Sequence, residues 1–429
     1  MILRYLLMCF CLFTVFSGSV QAAGVTNFPA LTSAEYWQKN NPAGDTVVMT
    51  PEAIASFNKK IITASPTVED MKNYPGTISG DSLKTRIMNY AVLEDDLYLH
   101  GNRVSENYKN ILRKQTNIGA IPDKVNVQYA VTVRRCNLRN LPTGEGLYYF
   151  ATDKDFDALQ ETALDPGEPL AVLHFSDNGF FYYVQSVNYS GWISKYDIAF
   201  TDKATWLKYA NPQKFLIIKD KDLQLKTGGE LVEYQLGARI PVQNIQSDTY
   251  VIEAPVRGSN GRLTPLKLLI RKDNPAVHYG YLPYTANNII AGAFKFYGSP
   301  YGWGGLKHSV DCSSLVYNVY RSVGIILPRN ADEQERSAGI SYKLSGLSAD
   351  ERGRVIAALP PGAPLYMDGH CVIYLGHSND VPYVIHALGS YYQDGRRISA
   401  MKVVVSDLSL ERSSSINFLN DLTTAKVFK

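Results

Sequence analysis

The sequence predicts a multi-domain chain in which a helix-leaning N-terminal region and two small β-barrels precede a C-terminal α+β domain. Three observations carry this expectation. A length of 429 residues exceeds what one ordinary core holds. Residues 126–205 and 206–282 are built from short apolar runs broken by turn residues, the texture of small barrels. Residues 283–429 open with helical periodicity and continue with strand-like runs, the order of an α+β fold. Composition agrees: 45% hydrophobic and 19% charged residues describe folded material. The net charge of +3 is too small to argue for nucleic acid, and no basic run marks a binding arm.

Residues 1–23 read as a signal peptide. Arg4 supplies the basic start, Tyr5 to Phe16 the apolar stretch, and Ser17 to Ala23 a small-residue exit, with cleavage after Ala22 or Ala23. The stretch is short for a membrane span, and no later segment is apolar enough to be one. The expected product is an exported protein, periplasmic or secreted, without stable membrane insertion. Cys9 and Cys11 would leave with the peptide. The remaining Cys136, Cys312 and Cys371 are odd in number, so at least one thiol stays free, and no disulfide framework is visible.

Residues 24–125 lean helical and read as a packing or stabilising region. Asp81 or Ser82 would cap a helix whose stripe is Leu83, Ile87, Tyr90 and Ala91. In residues 126–205, Val127 to Arg134 partly alternates. Asp165-Pro166-Gly167 and Asp177-Asn178-Gly179 mark turns, and Leu170 to Phe175 and Phe180 to Ser186 read as strands. Residues 206–282 repeat the texture in Phe215 to Lys219, Gly228-Gly229, Thr249 to Glu253 and Leu266 to Ile270. In residues 283–429, Thr285 caps a helix carrying Ile289, Ile290, Ala293, Phe294 and Phe296, closed by Gly298. A second helix buries Leu315, Val316, Val319, Tyr320 and Val323 and stops at Gly324. Leu365 to Leu375 and Val381 to Leu388 read as strands.

The chemistry centres on Cys312. It follows the glycine-rich run Tyr301-Gly302-Trp303-Gly304-Gly305 and opens the second helix, where backbone N–H groups and the helix dipole favour a thiolate. His370 begins a strand after Asp368-Gly369 and can act as general base and then acid. His386, in a second strand, can orient the His370 ring. A thiol, a base and an orienting imidazole are the parts of a nucleophilic acyl-transfer site, so the chain reads as a cysteine hydrolase. The Tyr301 hydroxyl and the Cys312 N–H are candidates for an oxyanion site. Asp311 would bond loop amides or a cationic substrate group. His308 has no neighbour to orient it and is passed over. With His370 facing the site, strand alternation places Cys371 behind it. No His-Glu-x-x-His and no paired Cys-x-x-Cys occurs, so neither a metal nor a cofactor is expected.

Two resemblances extend this reading. Asn137-Leu138-Arg139, the Pro166-Gly167 turn and Gly191-Trp192-Ile193 resemble a bacterial SH3 domain, and residues 206–282 look like a second one with weaker motifs. Tyr301 to Gly305, Asp311-Cys312-Ser313, Leu327-Pro328-Arg329, Gln334, Gly369-His370 through Gly376, and Ile385-His386-Ala387 match, in order, the landmarks of the NlpC/P60 family of cell-wall cysteine peptidases. That resemblance implies a papain-like fold and hydrolysis of peptidoglycan stem peptides, typically between D-glutamate and a diamino acid. Peptidoglycan or muropeptides are the implied partners. Carried over, Cys312 is the nucleophile, His370 the base, His386 the orienting group and Tyr301 the oxyanion partner, while Asp311 and Ser313 fall where relatives contact substrate. Two departures stand out. Ser314 replaces the glycine of the common Asp-Cys-Ser-Gly. Asn330 takes the substrate-binding place that an aspartate holds in relatives with Pro-Arg-Asp-Ser, and it cannot supply that charge for a free amine. An acid from the first SH3-like barrel is the candidate replacement. The rival readings are a catalytically inactive wall-binding scaffold, or an amidase or acyltransferase using the same thiol.

Overall fold

The structure, a computed structural model, describes residues 24–227 and 229–429; the expected signal peptide and Gly228 of the expected turn lie outside the described residues. Among the described residues no helix is long and apolar enough to cross a membrane.

The N-terminal region serves two different cores. Helix Pro51–Ala64 starts where the Thr50 side chain accepts from the Ala53 N–H, with Pro51 in the first turn, and it buries Ile54, Phe57 and Ile61. These side chains, with Leu31 and Trp37, enter the same core as Leu315, Val316 and Val319 far along the chain. The following stretch turns to the first barrel instead. Helix Gly80–Ile87 sends Leu83 and Ile87 into a core with Met71, Tyr74 and Trp206. Its cap is Ser79, two or three residues earlier than the expected Asp81 or Ser82. The Gly80 N–H is tied to the Asp123 carbonyl at 2.8 Å, and a Cβ there would stand 1.9 Å from the Pro122 oxygen. This close approach, which only glycine permits, draws Gly80 into the helix and sets the start ahead of Asp81.

Residues 126–201 form one antiparallel seven-stranded sheet. Its order is Ile198–Thr201, Gln128–Thr132, Pro169–Phe175, Phe181–Gln185, Ser190–Ser194, Cys136–Arg139 and Gln160–Leu164. Trp192 and Ile193 of the Gly-Trp-Ile run are fully buried. Residues 215–279 form a second β unit: a five-stranded sheet plus the hairpin of Asp222–Thr227 with Glu230–Gln235, around its own core of Leu216, Ile218, Tyr234, Ile240 and Ile252.

The C-terminal domain sets two helices against one sheet. Helix α1 (Ala286–Phe294) is capped by the Thr285 side chain on the Asn288 N–H, and α2 (Cys312–Ser322) follows. The six antiparallel strands are β1 (Ile340–Lys343), β2 (Pro364–Met367), β3 (His370–Ser378), β4 (Val381–Gln393), β5 (Arg396–Asp407) and β6 (Thr424–Val427), in the order β1-β6-β2-β3-β4-β5. Alternate residues Cys371, Ile373 and Leu375 of β3 face α2, while Val372 and Tyr374 enter the core on the other face. Each fully buried Leu or Val contributes roughly 1.5–3 kcal/mol through water removed from its surface.

The single strand expected over 365–375 is a hairpin. Met367 pairs with His370 across Asp368-Gly369, and Gly369 holds the left-handed φ of +63° that the tight turn requires. The far end of α2 is fixed to both β units through one buried carboxylate. Asp165, in the Asp-Pro-Gly turn, accepts from Arg321 of α2 at 2.5 Å, from Arg135 at 2.9 Å and from the Gln235 N–H at 3.1 Å. Arg321 also reaches Glu168 at 3.1 Å.

Candidate active site

The glycine-rich loop is shaped by the barrel beneath it. Gly304 and Gly305 have φ of +54° and +79°, and Cβ atoms there would lie 2.5 Å from Gln160 Cγ and 2.7 Å from Ala163 Cβ. The edge strand Gln160–Leu164 therefore presses on bare backbone. Gln160 Nε2 donates to the Gly304 carbonyl at 2.9 Å, and Trp303 Nε1 donates to the Asp157 carbonyl at 3.0 Å. An ion pair between Lys307 and Asp155 closes the same seam. Phe156 packs between Tyr301 and Trp303, tilted against the first and edge-on to the second, with ring centroids 5.8 and 5.6 Å away.

The next residues build the start of α2. Asp311 Oδ1 accepts from the Ser314 N–H at 2.8 Å, while Ser314 Oγ accepts from the Asp311 N–H at 2.8 Å. This reciprocal cap satisfies two otherwise open donors. The second Asp311 oxygen accepts from the Gly304 N–H at 2.9 Å and from Arg329 at 2.6 Å. Arg329 also donates to Ser313 Oγ at 2.9 Å and to Thr162 Oγ1 of the barrel edge at 2.8 Å. Burial works to raise the Asp311 carboxyl, but the Arg329 charge and the Ser314 bonds outweigh it and hold the group below its usual range. Asp311 is thus ionised and fully engaged within the chain.

Cys312 occupies the first position of this helix and is 9% exposed. His370 and His386 converge on it from β3 and β4. His370 Nε2 and His386 Nδ1 are 2.9 Å apart, and His386 Nε2 lies 3.1 Å from Ser406 Oγ on β5. Phe418 packs edge-on against both imidazoles. His370 also acts on the Cys312 sulfur electrostatically; with Nε2 engaged by His386, Nδ1 is the nitrogen left to face it. The Cys312 thiol is held well below its usual range, first by a hydrogen bond from Cys371 and then, against burial, by His370. Burial and the neighbouring His370 push His386 well down, so it is neutral. Tyr301 is 7% exposed; burial, reinforced by the Cys312 and Asp311 charges, keeps its hydroxyl protonated. The arrangement presents a low-dielectric thiolate, an imidazole aligned by a neutral partner, and a hydroxyl donor beside the sulfur.

The structure brings Cys312, His370, His386, Tyr301, Asp311 and Ser313 into this one cluster. Asn330 stands apart from the sulfur, at the cap position of helix Ala331–Arg336, with its side chain on the Tyr189 hydroxyl. Tyr189 in turn donates to Glu161 of the barrel edge. Glu161, Tyr189 and Asn330 share the wall of a cavity of about 330 Å³ with Arg86, Asn140 and Glu333, where the N-terminal region, the first barrel and the C-terminal domain meet. His308 is outside the cluster, but it does have a partner: its Nδ1 pairs with Glu233 at 2.8 Å. Among the described residues no group of three His, Cys, Asp or Glu side chains is arranged to hold a metal ion.

The placement expected for Cys371 is overturned. That residue lies on the Cys312 side, in the core that β3 shares with α2. His370 is the first residue out of the Asp368-Gly369 turn, and its ring reaches the sulfur from the strand end. The regular alternation starts at Cys371 and points that residue at α2. Ser406 was missed altogether, because only the β4–β5 pairing (His386 opposite Val404) brings it near the imidazole. Arg329 appeared only as part of the Leu-Pro-Arg run; Asp332 and Glu333 follow it closely, so nothing local marked Asp311 as its partner.

Comparison with known proteins agrees with this architecture. Residues 298–402 match the NlpC/P60 family, residues 148–194 match the SH3 domain of SH3b1 type, and residues 225–336 match the permuted papain-like amidase family. The last match includes Cys312 but ends before both histidines. The chain is 23% identical over 222 residues to dipeptidyl-peptidase 6 of Lysinibacillus sphaericus, covering 49% of this chain and 75% of that protein. It is 39% identical over 68 residues to the gamma-D-glutamyl-L-lysine dipeptidyl-peptidase of Bacillus subtilis, covering 16% of this chain and 23% of that protein. An NlpC/P60 endopeptidase from Photobacterium damselae subsp. piscicida shares the fold, with a TM-score of 0.74 over 90% of this chain and 94% of that one, at 18% identity.

Proposed function

The C-terminal domain belongs to the NlpC/P60 family and the chain is a cysteine peptidase; from that premise we propose that it hydrolyses peptidoglycan stem peptides between D-glutamate and the following diamino acid. The observation that carries this reading is the line from Ser406 through His386 and His370 to an ionised Cys312.

In the first half-reaction the Cys312 sulfur attacks the carbonyl carbon of the D-glutamyl amide. The Cys312 N–H and the Tyr301 hydroxyl donate to the oxygen as it gains charge. The His370 imidazolium passes its proton to the departing amine, leaving a thioester. In the second, His370 takes a proton from water, the hydroxide attacks the thioester, and the acid is released with the thiolate restored. His386 stays neutral throughout and fixes the His370 ring, an office a carboxylate fills in other triads. Asp311 and Ser313 hold the helix terminus beside the bound peptide.

The substrate's amino end extends toward the cavity at Asn330. The charge that Asn330 lacks is available from Glu161 on the first barrel, which reaches it through Tyr189. The residues before Ala23 direct the protein out of the cytoplasm, to where this substrate lies.

Defined muropeptides incubated with the purified protein and analysed by mass spectrometry test the proposal. The expected products end in D-glutamate and begin with the diamino acid, and Cys312→Ala yields none while retaining the wild-type thermal midpoint. Uncut stem peptides would instead indicate a wall-binding scaffold, and a different scissile bond would overturn the specificity.

A further inference from the structure

The catalytic sheet ends at β5, and an edge strand leaves a row of backbone groups open to pairing. Two distant stretches of chain cover that edge. Gly298 and Tyr301 donate their N–H groups to the carbonyls of Val403 and Met401, each at 2.9 Å. Further along β5, residues 24–26 take over. The Thr26 N–H donates to the Val405 carbonyl at 3.0 Å, the Asp407 N–H donates to the Gly24 carbonyl at 3.4 Å, and Val25 stands directly opposite Ser406. Ser406 is the residue that anchors His386, so this short strand is fastened behind the last link of the catalytic line.

The fastening ends on a carboxylate. The Gly24 nitrogen donates to Asp407 Oδ2 at 3.1 Å. Asp407 is buried, and its other oxygen accepts from the Ser409 N–H at 2.8 Å and from the Ser409 hydroxyl at 2.6 Å. The carboxylate is therefore aimed at the Gly24 nitrogen and cannot swing away without losing Ser409. Ala23, the residue before that nitrogen, is one of the two expected cleavage positions of the leader. In the uncut chain the nitrogen is a neutral amide. When a leader peptidase hydrolyses the Ala23–Gly24 bond, one water is consumed, Ala23 leaves as a carboxylate and Gly24 keeps an α-ammonium. A charged donor bonds a carboxylate roughly twice as strongly as a neutral one.

We propose that leader cleavage completes the catalytic line: the amino group set free on Gly24 pairs with Asp407, seats residues 24–26 on β5, and so holds Ser406 against His386.

Gly24 and Asp407 are positioning residues, since they act on His370 and Cys312 only through Ser406 and His386. The peptidase is weakest while it carries its leader and strongest once processed.

The inference rests on the line from Ser406 to Cys312 and is independent of which bond is cut. Its test compares the chain that begins at Gly24, the same chain with an acetylated amino terminus, and Asp407→Asn. Each is made with Ser406 and with Ser406→Ala. Two readouts are taken: kcat and KM on one muropeptide, and the rate of Cys312 alkylation by iodoacetamide at neutral pH, which needs no substrate. Acetylation, and separately Asp407→Asn, is expected to lower kcat and the alkylation rate about fivefold with KM unchanged. In the Ser406→Ala background neither change is expected to add a further loss, because the route to His386 is already cut. A merely structural strand would lower the thermal midpoint and leave the same loss in both backgrounds. Equal rates with free and acetylated termini, a loss undiminished by Ser406→Ala, or an exported protein whose sequenced amino terminus is not Gly24 overturns the proposal. Should Asp407→Asn fail to fold, the acetylated chain carries the test by itself. Uncut muropeptides alongside the expected alkylation pattern would count against the substrate alone.

Discussion

Single residues divide the labour of the site by ring nitrogen. His370 gives Nε2 to His386 and keeps Nδ1 for sulfur, while His386, neutral and completely buried, is anchored by Ser406. His370→Ala removes the group that moves protons, and kcat/KM is expected to fall about 10²–10⁴-fold. His386→Ala only frees the ring to rotate, so its loss is smaller, about tenfold, and falls on kcat rather than KM. Steady-state kinetics on one muropeptide checks the order; a His370 variant at the wild-type rate would remove that residue from the mechanism. At this scale the sequence was informative wherever chemistry has a local signature: a thiol behind a glycine-rich run and ahead of an apolar helical stripe, and a histidine on the exit of a Gly turn. It was silent on Ser406, because a serine in a strand gains meaning only from the strand beside it. It misled on Cys371, because the His370 ring works from the strand end and was taken to mark the strand face that packs on α2.

Among the elements, the loop from Tyr301 to Gly305 and the edge strand Gln160–Leu164 act as one part. The Gly304 position combines a left-handed backbone with a contact that a methyl group would violate. Gly304→Ala is expected to cost about 1–3 kcal/mol and to lower kcat, since lifting the loop displaces both Tyr301 and the Asp311 cap. Gly353→Ala is the control: it lies in helix Ala349–Ala357 with open space around it, and alanine there is neutral or stabilising. Equal thermal midpoints for the Gly304 variant and wild type would refute the coupling. The start of α2 was legible because Asp311 precedes an apolar stripe of period near 3.6. Strand β5 was not. Its outer residues, Arg396 to Ser399, are exposed, Ile398 included, while Val403 to Asp407 are buried on both faces, so no single alternation runs through it.

For the whole molecule, the decisive contact is the carboxylate of Asp165, shared by the catalytic helix and both β units. Asp165→Ala removes the carboxylate that Arg321 and Arg135 share, leaving Arg321 only Glu168 and Arg135 only the longer contact to Glu233, and the expected loss is about 3 kcal/mol. Chemical denaturation should show the midpoint falling and the single transition splitting as the parts unfold separately; an unchanged curve would show that packing alone joins them. The β-rich character of both middle segments and the C-terminal α+β domain could be expected from strand and helix texture, but their mutual docking could not, since Asp165, Gln235 and Arg321 carry no mark of one another in sequence. The same holds for the N-terminal helices. The ring of Phe57 lies 6.3 Å from that of Phe428, and Phe428 lies 5.0 Å from Tyr320 on the catalytic helix. The core behind the nucleophile is therefore closed by distant stretches of chain, with both β units lying between them in sequence. Contacts so remote form late and slowly. A nascent or clipped polypeptide that lacks either stretch holds its sulfur in an unfinished, wetter pocket, so destructive chemistry stays latent until folding is complete.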